Sequence, residues 1–140
     1  MARNDGSAVG VRLWSQTYAI ARLLAVPEPL PAPPADGPPV ALIVDHDEVS
    51  LIAPEELVEG QGGLVERVSK GWRALTLEAT FPLDTVGLLA VVSRALADVG
   101  VPVMVLSSHD TDHFLVPDEK LGRALAALGQ VKLERFLPAK

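Results

Sequence analysis

Val40-Ala41-Leu42-Ile43-Val44-Asp45-His46-Asp47-Glu48 is matched, 63 positions later and without a gap, by Val103-Met104-Val105-Leu106-Ser107-Ser108-His109-Asp110-Thr111. The correspondence continues from Ser50-Leu51-Ile52-Ala53-Pro54-Glu55-Glu56 into His113-Phe114-Leu115-Val116-Pro117-Asp118-Glu119. Valine, the His-Asp pair, proline and glutamate recur at equivalent places. Each copy is an apolar run, a short polar turn, a second apolar run, then proline followed by acids. Apolar runs this short, bounded by turn residues, are strands, and their close spacing makes each pair a hairpin. Proline followed by carboxylates is a helix start, because proline suits the first turn and negative charge complements the dipole there.

Outward from the second copy the pattern is full. Arg73-Ala74-Leu75-Thr76-Leu77-Glu78-Ala79 alternates as a strand. Asp84 or Thr85 is placed to cap a following helix, on which Leu89, Val92, Leu96 and Val99 recur at helical spacing opposite Ser93, Arg94 and Asp98. Gly100 suits the end of that helix. The hairpin Val101–Ser107 and Asp112–Val116 follows, then a helix carrying Leu121, Leu125 and Leu128 and stopped by Gly129, then a closing strand over Val131–Leu137. The order β-α-β-β-α-β is the ferredoxin-like topology.

The first copy is eroded. Thr17–Leu23 supplies its opening strand, but Pro27 to Pro39 holds seven prolines where the first helix should stand. Proline removes backbone donors and clashes with the preceding turn, so this stretch is predicted to be an extended crossover. The fold class is therefore α+β, two ferredoxin-like repeats, the first lacking its first helix. The predicted organisation is a disordered tail over 1–10, a truncated repeat over 11–70 with its proline-rich crossover at 27–39, and a complete domain over 71–140.

Composition narrows the function. Apolar residues are 49% of the chain, enough for a core, while aromatics are only 4%, so that core is aliphatic. A formal charge of −6 repels phosphate backbones, and no basic cluster offsets it, which argues against nucleic acid. Cysteine is absent, which removes disulfides, thiolate nucleophiles and cysteine-ligated zinc. No apolar run approaches the roughly 20 residues needed to span a bilayer, so no membrane partner is expected. Met1–Gly10 has no apolar stretch behind a basic start, which predicts a cytoplasmic protein. No nucleophile elbow, zinc-protease or phosphate-loop motif is present, and the chain is not expected to be an enzyme or to need a cofactor. His109-Asp110-Thr111-Asp112-His113 crowds metal-ligand types together. Neighbouring side chains diverge in a hairpin, however, so no metal site is assigned.

Gly71-Trp72-Arg73-Ala74-Leu75, Leu83-Asp84-Thr85-Val86-Gly87-Leu88-Leu89-Ala90 and Leu106-Ser107-Ser108-His109-Asp110-Thr111-Asp112-His113-Phe114-Leu115-Val116-Pro117 together resemble the tandem ACT-domain proteins of bacteria. That branch is similar to the CASTOR-type arginine sensors and to the regulatory part of aspartate kinases. The resemblance spans about residues 17–137 and is most specific in the second repeat. It implies ACT-type repeats and a regulatory module that binds an amino acid between the strand-to-helix loop and a neighbouring hairpin, commonly with sheets joined side by side in a homodimer. It also implies an effector protein that reads the assembly. Carried over, Gly87 and Leu88 take the backbone role, and Ser108, His109, Thr111 and Asp112 the side-chain role, with Asp84 and Thr85 beside them. His109 stands where the relatives commonly carry Tyr or Phe, so the resemblance implies an amino acid without naming which.

The residues suit that chemistry on their own terms. A helix start offers unpaired N–H groups to a carboxylate. Gly87 lets backbone approach closely. Asp112 accepts from an ammonium, and Ser108 and Thr111 serve remaining donors. Bland readings stand beside these: Asp84 and Thr85 as helix caps, Gly87 as a packing glycine, Asp110-Thr111 and Asp47-Glu48 as turn residues. Ser107 is expected to face the sheet interior. The alternative function is an ACT-like dimerisation or interaction protein without a ligand.

Overall fold

The computed structural model describes residues 9–138. Six strands form one antiparallel sheet in the order β2-β3-β1-β4-β6-β5, with β1 at Gly10–Leu23, β2 at Ala41–Val44, β3 at Val49–Pro54, β4 at Val65–Glu78, β5 at Met104–Ser107 and β6 at Asp112–Pro117. Among the described residues three α-helices accompany it: α1 at Glu55–Glu59, α2 at Leu88–Asp98 and α3 at Leu121–Gly129. Together these elements make a ferredoxin-like α+β fold.

The chain divides into two units, Ser15–Arg73 and a second built on Gly10–Trp14 with the chain from Ala74 onward. The Ser15–Arg73 unit has its own aliphatic core of Ala19, Ala21, Leu23, Leu51, Ala53 and Val58. Alternate positions of β1 and β3 supply it, as the two-residue period of a strand requires. No helix forms between β1 and β2. The end of the proline-rich crossover is tied by the Tyr18 hydroxyl, which donates to the Pro39 carbonyl. Burial pushes the Tyr18 phenol well above its ordinary value. Pro27 is fully buried, and three of the six core residues are alanines, which suit a thin proline-rich cover.

The second unit packs α2 and α3 against β4 and β6. Leu75, Leu77, Leu88, Val92, Leu96, Phe114, Val116, Ala124 and Leu128 form its core. On α2 the buried face is Leu88, Val92 and Leu96, and Leu89 is turned outward, 41% exposed. The helix ends where Gly100, at φ 73°, lets the N–H groups of Gly100 and Val101 turn back onto Ala97 and Leu96.

The two hairpins coincide at the offset seen in the sequence. Leu42 faces Leu51 and Val105 faces Phe114; Val44 faces Val49 and Ser107 faces Asp112. The turns close with equivalent bonds, Asp45 N–H to Glu48 C=O at 3.0 Å and Ser108 N–H to Thr111 C=O at 2.9 Å.

One expected element is absent among the described residues. Val131–Leu137 is not a strand; Glu134–Phe136 is a single short 3-10 turn, and Leu133 and Phe136 pack onto the core. The physical reason is an occupied edge. β4 is flanked by β6 on one side and by β1 on the other, so the place beside it that a closing strand would take is filled. The predicted tail over 1–10 lies mostly outside the described residues.

Replacing Leu96, fully buried on α2, with alanine should cost about 2–5 kcal/mol, the usual range for a buried leucine truncation. Urea unfolding of Leu96→Ala against the parent checks this.

Candidate functional site

The loop after β4 and the turn between β5 and β6 enclose a cleft of about 350 Å³, whose lining includes Phe81, Leu83, Thr85, Gly87, Leu88, Leu89 and Ser107 to Asp112. That is within the usual size range of small-ligand pockets. Two bonds hold its walls together. The Phe81 N–H donates to the Asp110 carbonyl at 2.8 Å, and the Thr111 hydroxyl donates to the Leu77 carbonyl at 2.8 Å.

Gly87 forms the helix mouth. It is the N-cap of α2 at φ 95°, with no side-chain cap. The first bond of α2 runs from Val91 N–H to Gly87 C=O at 3.1 Å, so Leu88, Leu89 and Ala90 present first-turn N–H groups that have no intrahelical partner. The expectation that Asp84 or Thr85 caps this helix is corrected. Thr85 turns back, its hydroxyl donating to the Pro82 carbonyl at 2.6 Å, and Asp84 is exposed and outside the cleft lining. The left-handed backbone at Gly87 is what carries the chain past them and starts the helix three residues later than Asp84 would.

Of the residues picked from sequence, Thr85, Gly87, Leu88, Ser108, His109, Thr111 and Asp112 line the cleft, and Asp84 does not. Ser107 is exposed and also lines it, contrary to the expectation that it faces the sheet interior. Ser107 is the last residue of β5 and pairs with Asp112 where the turn begins. His109 is exposed and its Nδ1 lies 2.7 Å from Asp110 Oδ1. Asp112 is half-buried.

Sequence reasoning missed a polar chain behind the turn. The Trp14 indole N–H donates to Thr76 Oγ1 at 2.9 Å. Thr76 Oγ1 lies 2.8 Å from His113 Nδ1, and His113 Nε2 lies 3.2 Å from Ser108 Oγ, whose hydroxyl donates to the Thr111 carbonyl at 3.0 Å. Strand alternation was the available signal: Phe114 in the core puts His113 on the opposite face, as Leu75 and Leu77 do for Thr76. Burial is the main cause that holds the His113 imidazole below its ordinary pKa, with neighbouring Asp112 opposing it.

The equivalent turn in the Ser15–Arg73 unit is built differently. Asp45 Oδ1 accepts the N–H groups of Asp47 and Glu48 at 2.7 and 2.8 Å, an Asx turn that lowers the Asp45 pKa. Asp45, His46 and Asp47 bring potential ligand atoms within 4.8 Å of one another, all of them exposed. A smaller cleft of about 240 Å³ lies there. Arg22 lines it and donates to the Asp47 carbonyl at 2.9 Å and to Glu66 at 3.1 Å. An internal guanidinium thus sits against the turn, and no helix follows β1 to supply N–H groups.

Residues 67–130, from β4 through α3, match the ACT domain family. Comparison with curated proteins gives no match. Among solved structures, an Agobacterium tumefaciens protein is 27% identical with a TM-score of 0.69, covering 89% of each chain. A Vibrio cholerae protein of unknown function, described as a possible transport protein, is 23% identical with a TM-score of 0.66 over 88% of each chain. The regulatory subunit of aspartate kinase from Thermus thermophilus is 17% identical with a TM-score of 0.59, over 89% of this chain and 98% of that one. The last two likenesses are of fold. Among the described residues, no helix is long and apolar enough to cross a membrane.

Two outcomes test the site's construction. Gly87→Ala should destabilise the protein by about 1–2 kcal/mol, the cost of a Cβ in the left-handed region, since the added atom itself meets only Phe136 at 3.6 Å. Because folding lowers the His113 pKa, the unfolded chain takes up that proton first as pH falls. The stabilisation is complete above the ordinary value of about 6.5 and is lost as pH drops through the lowered folded value. Urea unfolding across this range should show the loss, and His113→Asn should remove it.

Proposed function

We propose that the protein is a regulatory module of ACT type that binds a free amino acid in the cleft between the mouth of α2 and the Ser108–Asp112 turn. The two units are read as tandem ACT-like repeats related to the bacterial relatives of CASTOR-type sensors. The observation that carries the proposal is the pairing of opposite chemistries across one small cleft. The uncapped helix mouth offers N–H donors and positive dipole to a carboxylate, and Asp112 lies on the facing wall to accept from an ammonium or a cationic side chain. The hydroxyls of Ser108 and Thr111 spend their protons on carbonyls, so their oxygens serve as acceptors toward a ligand. Of the two turn clefts among the described residues, the other does not have this character, since the turn at Asp45 lacks a helix mouth and is occupied by Arg22.

The cleft is open to solvent, and the loop that forms one of its walls carries Leu83 and Val86, which are 76% and 88% exposed. A second copy of the chain covering this rim would close it, and binding would then shift the population of assemblies that an effector protein meets. The same exposed rim favours the second reading, a dimerisation module that needs no ligand.

A thermal-shift screen over the standard amino acids separates the readings. A ligand that binds only the folded chain raises Tm, and the first reading fails if none does. For the amino acid found, Asp112→Ala should weaken binding about 10- to 100-fold by calorimetry, the loss of one charge-assisted bond. An unchanged Kd places the site elsewhere.

A further inference from the structure

We propose that neutral His113 is a positioning residue for the cleft, that it latches the Ser108–Thr111 turn to the sheet, and that its protonation releases that turn. The assignment of the turn as a ligand-facing wall rests on the amino-acid reading above; the latch is a property of the chain alone.

The direction of every bond in the polar chain follows from its ends. The Trp14 indole can only donate, so Thr76 Oγ1 accepts from it. The Thr111 carbonyl can only accept, so the Ser108 proton is committed there. Ser108 Oγ must then accept from His113, which puts the ring proton on Nε2. Nδ1 is left bare and accepts the Thr76 hydroxyl. One neutral tautomer satisfies all four bonds, and they run in a single direction from β1 through β4 and β6 to the turn. A second ring proton on Nδ1 sets donor against donor at Thr76, unless the Thr76 hydroxyl turns away and gives up its own acceptor. Either way a bond of the chain is lost, and where the ring gives way it is the one holding Ser108.

The charged groups around the ring do not hide this effect. Asp112 adjoins it on β6 and favours the proton, but burial outweighs it. Glu78 shares the Thr76 face of β4, and Arg12 on β1 stacks over the Trp14 ring at 3.9 Å. His109 and Asp110 in the turn pair with each other in the open. From β5 the cross-strand partner is Leu106, which carries no charge.

Nitrogen NMR of the full chain tests the latch without any ligand. The neutral ring should be the Nε2–H tautomer and titrate below about 6.5. The backbone amides of Ser108 and Thr111 should move with the same midpoint. In Thr76→Val the hydroxyl partner of the neutral ring is gone, and both midpoints should rise together. An Nδ1–H tautomer, or turn amides that ignore the ring's titration in the parent chain, overturns the proposal. The functional arm uses an equimolar mixture of the standard L-amino acids as probe. Its Tm shift should shrink as pH is lowered through the His113 titration. An equal shift on both sides overturns His113 as a positioning residue for the cleft and leaves the amino-acid reading standing. No shift at any pH, with amides that still follow the ring, defeats that reading and supports the latch.

Discussion

On strand β4 both faces and both edges are committed at once, and most of the molecule follows from that. Leu75 and Leu77 enter the core under α2 and α3. Thr76, between them, faces the other way and receives Trp14 and His113. One edge is taken by β6 and the other by β1. With no vacant edge on β4, the residues after α3 cannot pair with it, and they pack Leu133 and Phe136 onto the core instead.

The same strand anchors the candidate site. Where β6 begins, the Thr111 hydroxyl takes the Leu77 carbonyl, so a side chain extends the attachment of the turn to the sheet one step beyond the strand. The next loop then returns the favour, with Phe81 bonded to Asp110. The cleft between loop and turn is thus held by backbone carbonyls at both walls. Its chemistry comes from what is left over: first-turn N–H groups of α2, the Asp112 carboxylate and the lone pairs of two hydroxyls whose protons are already used.

The hairpins and helices of the second unit could be read from sequence because they depend on local pattern: apolar runs, turn residues and helical spacing. The loss of the first helix was equally plain, since seven prolines forbid it regardless of context. Seven of the eight residues picked for the site line one cleft. Asp84 does not, because the start of a helix depends on which residue takes the left-handed turn, and Gly87 took it. Local signals offered two good capping residues and no means of ranking them against a glycine.

What the amino-acid sequence determined by itself was the two hairpins and the helices of the second unit, because hydrogen bonding within a helix or hairpin and the alternation of a strand are short-range physics. Tertiary structure alone decided which strand borders β4 and which way the polar residues join up. Strand pairing is a competition for edges among segments far apart in the chain, and β1 won the place that Val131–Leu137 would have filled. The bond between Trp14 and Thr76 and its continuation to His113 exist only as a result of that outcome. A hydrogen-bond chain needs its members within about 3 Å of one another, and no periodicity in the sequence brings residues 14, 76 and 113 together.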